Sequence, residues 1–62
     1  MSYWFEMNFV KIVGYCNRNG ITDMEDLKDA LIVGGKDYWY SLLYGNNLLL
    51  ELVDAAITKE KE

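Results

Sequence analysis

From about Ser2 to Asn17, the residues Phe5, Phe9, Ile12, Val13 and Cys16 recur at spacings of three and four. This is the mark of one apolar face on a helix. The pattern predicts a helix packed through that face and closed by Asn19-Gly20, because glycine takes the left-handed conformation that ends many helices without a steric penalty. A second stripe, Tyr3, Met7 and Val10, lies a third of a turn or more from the first, with Trp4 between them. One face of a small domain does not need both. Either these residues fold back over the domain's own core, or they form an exposed patch for dimerisation or for docking a partner. Gly14, in line with the second stripe, costs a helix about 1 kcal/mol and lets another helix come close.

Thr22-Asp23-Met24-Glu25 fits the capping box, with Thr22 as the cap and Glu25 reaching back to it, so a second helix is expected to start here. Its inner stripe is Met24, Leu27 and Leu31 with Ala30 beside it; Glu25, Asp26 and Asp29 fall on the outer face. Negative charge in the first turn also suits the positive end of the helix dipole. Gly34-Gly35 then breaks the pattern, and the β-branched Ile32 and Val33 before it are expected to plug the core from the loop.

A third helix is expected to be capped by Asp37 and to run through Tyr44. Trp39, Leu42 and Leu43 take its inner positions, and Tyr38, Tyr40 and Tyr44 its flanks. Gly45-Asn46-Asn47 ends it and offers an asparagine cap for the next helix. The last helix, Leu48 to about Lys59, is apolar nearly all round apart from Glu51, Asp54 and Thr58. Such a helix is either the central packing element or half of a homodimer interface. The tail Lys59-Glu60-Lys61-Glu62 reads as a solvated end. The expected architecture is all-α, a compact bundle of four short helices in one domain spanning residues 1–62.

Composition agrees with a packed core: 52% of the 62 residues are hydrophobic and 15% aromatic, above what disordered chains carry. Cys16 is the one cysteine, which excludes a disulfide or a cysteine-based zinc site within a single chain and suits a reducing, cytoplasmic setting. Charges interrupt every apolar run, so no membrane span is expected, and Glu6 without a leading basic region argues against a secretory signal. Six basic against ten acidic side chains give a net charge of -4, which favours basic partners and disfavours nucleic acid and anionic membranes.

The residues offer little for catalysis. Histidine, the commonest general base and metal ligand, is absent. Ser41 has neither a glycine elbow nor a base nearby in sequence, and Cys16 on an apolar face reads as an inert buried thiol. The cluster Asp23, Glu25, Asp26 and Asp29 lacks the ligand spacing of a calcium loop, and Gly34-Gly35 is no phosphate cradle. No enzyme activity, metal or cofactor is expected.

The order of elements resembles a helix-turn-helix domain, and the middle segment resembles the Cro and Xre-type repressor family of temperate phages and other mobile elements. Gly20-Ile21-Thr22 followed by Glu25-Asp26-Leu27 looks like the opening of the family's second helix, and Leu31-Ile32-Val33 like its close and the turn. With one residue added in the Gly34-Gly35 turn, Trp39, Leu42 and Gly45 fall at the hydrophobic anchors and terminal glycine of the recognition helix. The likeness covers roughly residues 9–57. It implies base reading from the third helix and phosphate contacts from basic and polar side chains around it.

Charge departs from that pattern. Between Gly20 and Gly45 stand Asp23, Glu25, Asp26, Asp29 and Asp37 against Lys28 and Lys36 alone, whereas counterion release on DNA needs several cations. The expectation is therefore a small acidic regulator that binds protein, inhibiting or modulating a basic DNA-binding protein. Glu25, Asp26, Asp29 and Asp37 would steer it to a basic surface, Tyr38, Tyr40 and Tyr44 would anchor it, and Tyr3, Trp4, Met7 and Val10 would be a dimer or partner patch. One alternative is a dimeric Cro-type repressor with Lys36, Tyr38 and Tyr40 at the groove. Another is a homo-oligomer closed through the last helix and the Tyr3, Trp4, Met7 stripe.

Overall fold

In the computed structural model, residues 3–59 are described, and they form four helices: α1 (Tyr3–Asn19), α2 (Met24–Val33), α3 (Asp37–Tyr44) and α4 (Asn47–Lys59). The expected start at Ser2 and the charged tail at 60–62 lie outside the described residues. α1 packs mainly on α4, while α3 packs on both α2 and α4. One cluster holds them together: Phe5, Ile12 and Cys16 from α1, Ile21 from the first turn, Leu27 and Leu31 from α2, Leu43 from α3, and Leu49, Val53 and Ile57 from α4. Fully burying one such aliphatic side chain is worth about 1.5–3 kcal/mol. The all-α bundle read from the periodicity is the fold observed.

Two glycine turns share one hydrogen-bond pattern. After α1, Gly20 takes φ 67°, its amide donates to the Asn17 carbonyl at 3.4 Å, and the Ile21 amide donates to the Cys16 carbonyl at 2.9 Å. After α2, Gly35 takes φ 69°, its amide donates to the Ile32 carbonyl at 3.2 Å, and the Lys36 amide donates to the Leu31 carbonyl at 2.9 Å. Both are Schellman closures, which satisfy carbonyls a helix end leaves open and set the following residue over the last turn. That is why Ile21 is buried. It belongs to the core although it stands in no helical stripe.

Three local expectations are corrected. The cap of α2 is Asp23, not Thr22: its carboxylate oxygen accepts from the Asp26 amide at 2.9 Å, so the Thr22–Glu25 box does not form and the helix begins one residue later. Asp37 likewise lies inside α3, whose capping position is Lys36 and has no side-chain cap bond. Ile32 and Val33 do not plug the core. α2 continues through both, the helical twist turns them outward, and they are 55% and 88% exposed.

The Asp23 assignment makes a prediction. Asp23→Ala should destabilise the protein by about 1 kcal/mol, the usual worth of an N-cap, whereas Thr22→Ala should cost markedly less in the same urea titration. The reverse order would reinstate threonine as the cap.

α4 is less enclosed than its composition suggests. Leu49, Val53 and Ile57 are fully buried, yet Leu48, Leu52 and Ala55 face outward. Asn46 caps it as expected, its side-chain oxygen accepting from the Leu49 amide at 3.2 Å. Asn8, the one buried polar side chain among the described residues, is satisfied by donating to the Trp4 carbonyl at 2.9 Å.

Candidate functional site

The acidic residues of α2 stand on its solvent side. Glu25, Asp26 and Asp29 are exposed, as is Asp37 at the start of α3. Among the described residues none of these four carboxylates makes an ion pair. The helix twist explains the arrangement: Leu27 and Leu31 turn inward one turn apart and leave these positions outward. No three carboxylate or thiol groups converge as a metal site among the described residues.

The tyrosines separate into two environments. Tyr40 is half-buried against the core, and its ring lies 4.9 Å from that of the exposed Tyr44 at 35° between planes. Tyr44's phenol is pushed above its ordinary value of 10.0, first by burial, then by Tyr40 and by the negative charge of Glu25. Glu25 of α2 therefore lies within electrostatic reach of Tyr44 at the end of α3. Tyr38, by contrast, lies at the start of α3 and is exposed. It borders a shallow hollow lined by Gly35, Lys36, Asp37 and Trp39. Of the proposed acidic–aromatic surface, this sets Glu25 within electrostatic reach of Tyr44, and Asp37 beside Tyr38; among the described residues Asp26 and Asp29 make no hydrogen bond to a tyrosine.

Tyr15 and the grip on Lys36 were not legible in the sequence. The rings of Tyr15 and Trp39 meet edge to face at 5.5 Å, and the Lys36 ammonium sits 5.7 Å from the centre of each. Such a cation is held by the negative faces of the rings, worth about 0.5–1 kcal/mol at an exposed site. The Schellman turn places it there: Lys36 is the residue that closure carries back over the end of α2. The i, i+3 spacing of Lys36 and Trp39 was visible, but Tyr15 joins them only through tertiary packing. One of the two lysines between Gly20 and Gly45 is thus partly engaged within the chain.

Cys16 is fully buried, and burial pushes its thiol above the ordinary 9.0. Cys16 and Tyr44 are both neutral when protonated, and both have raised folded-state values. Their contribution to stability is therefore complete below the unfolded-state values and is lost as pH rises through the folded ones. The urea midpoint should hold near neutrality and fall above pH 9.0, where the unfolded thiol ionises, more steeply past 10.0. A midpoint that rises across this window would contradict the raised folded-state values of both groups.

The patch on α1 is open. Tyr3 and Val10 are 76% and 64% exposed, Trp4 is exposed and Met7 half-buried. Of the two readings of this stripe, folding back over the core is not what the chain does. No described helix is long and apolar enough to cross a membrane. Comparisons with protein families, with curated proteins and with solved structures give no match for this chain.

Proposed function

We propose that the protein is a non-enzymatic binding module whose acidic α2 face takes a protein partner with a basic surface. The observation that carries this reading is the set Glu25, Asp26 and Asp29, exposed, without ion pairs among the described residues, with Glu25 within electrostatic reach of Tyr44. Unpaired surface charge of one sign speeds encounter with an oppositely charged surface, and tyrosines at its edge supply apolar contact with a polar tip. The three-residue turn between α2 and α3 has the length of a helix-turn-helix connection. Together with the resemblance to Cro and Xre-type regulators, it suggests a mobile-element protein that inhibits or modulates a basic DNA-binding protein. Such an inhibitor acts where DNA is bound, in the cytoplasm.

The test is retention of a partner from an extract of the cells that make the protein. The Asp26→Lys, Asp29→Lys double variant should remain folded, since both positions are exposed, and should retain at least about tenfold less partner. Undiminished retention removes the acidic face from the reading. A gel shift with duplex DNA at about 50 mM salt should show no retardation. Salt-sensitive retardation there would favour instead a Cro-type repressor using Lys36, Tyr38 and Tyr40.

A further inference from the structure

We propose that the outward stripe of α1 is a homodimer seam in which two copies pair through parallel α1 helices. Tyr3, Met7, Val10 and Gly14 follow one another at spacings of four, three and four, the repeat of a short coiled-coil seam. They lie on the side of α1 opposite its buried residues Phe5, Ile12 and Cys16. A shallow groove runs along Tyr3, Met7 and Val10, bordered by Glu6 and Lys11.

Those two charges identify the occupant. At about 100° per residue, Glu6, just before Met7, and Lys11, just after Val10, stand on opposite flanks of the stripe. When two identical helices pair in parallel, each flank meets the opposite flank of its mate, five residues further on. Glu6 is five residues before Lys11, so Glu6 of each copy faces Lys11 of the other, twice per dimer. An antiparallel pair sets like flanks together and brings Glu6 to the glutamate side. The self-complementarity is thus specific to the parallel arrangement, and it has the two-fold symmetry of a closed dimer.

Charge elsewhere on the chain points to the same face. The net charge of -4 opposes self-association, but α1 carries one acid, Glu6, against two bases, Lys11 and Arg18. A mate on α1 therefore avoids the acidic face of α2. Of the other exposed large aliphatic side chains, Ile32 and Val33 belong to the acidic α2, and Leu48 and Leu52 on α4 are accompanied by Glu51 and Asp54, so a second copy at either would meet like charge. The seam is separate from the acidic face, so its failure and the failure of the proposed function are distinguishable.

Sedimentation equilibrium should show a monomer–dimer equilibrium that shifts with concentration. Glu6→Lys and Lys11→Glu each replace both cross-pairs by like charges and should each weaken dimerisation by about tenfold. The double variant, with the charges exchanged, should return to within about threefold of the original. Val10→Cys should form a disulfide-linked dimer in oxidised glutathione, because parallel pairing sets the two copies of position 10 side by side while Cys16 stays buried. Glu6, Val10 and Lys11 are exposed, so circular dichroism should find every variant folded. A monomer at all concentrations, or a charge-exchanged variant no better than either single one, would overturn the proposal.

Discussion

Leu43→Ala should leave the protein largely unfolded or lower its melting temperature by at least about 10 °C. Leu43 is the one buried residue of α3 and is fully enclosed. Deleting a buried leucine side chain removes its transfer free energy and leaves a cavity, about 2–5 kcal/mol together. A core in a chain this short rarely supplies more than about 3–5 kcal/mol in all, and each kilocalorie moves the melting temperature of a small domain by about 4–8 °C. Because α3 has no side-chain cap and no second buried anchor, its tyrosines should lose their fixed positions first. Val33→Ala is the control. Val33 is 88% exposed, so the change should lie within about 0.5 kcal/mol of neutral. Thermal melts followed by circular dichroism would separate the two, and a comparable loss in both would mean that Val33 is packed after all.

The second large effect is expected at Gly20. Its φ of 67° lies in the left-handed region, where a side chain costs roughly 1–2 kcal/mol. Nothing stands within 4 Å of where a Cβ would sit, so Gly20→Ala should lose that conformational term and no packing. The loss has a structural consequence, because the same turn carries Ile21 into the core through its amide bond to the Cys16 carbonyl. Asparagine tolerates this conformation better than alanine, so Gly20→Asn should fall between alanine and the original in urea midpoint. Equal losses for the two substitutions would argue that the turn relaxes to negative φ.

The acidic surface was more legible than the groups around it. Glu25, Asp26 and Asp29 could be placed on the outside of α2 because Leu27 and Leu31 claim the inside, and one helix has only so many faces. The cap lies one residue beyond the expected one because Thr22 and Asp23 are both good capping residues; which one reaches the third amide depends on the path of the chain out of the Gly20 turn. Ile32 and Val33 depart from expectation for a related reason. β-branched residues beside a double glycine read as loop plugs, but the helix continues to Val33 and its twist turns both outward.

Periodicity and glycine placement thus determined the number of helices, their approximate ends, the main core stripes and the acidic face of α2, because these depend on contacts within a few residues of sequence. Tertiary structure alone decided that Tyr15, Trp39 and Lys36 meet, that Glu25 influences Tyr44, and that Tyr3 and Val10 stay in water. Each of these joins, or keeps apart, groups on different helices. Whether a second apolar stripe is buried depends on how many neighbours a helix has: α1 packs mainly on α4 and meets α3 through Tyr15, and its outer side is left to solvent or to a second copy of the chain.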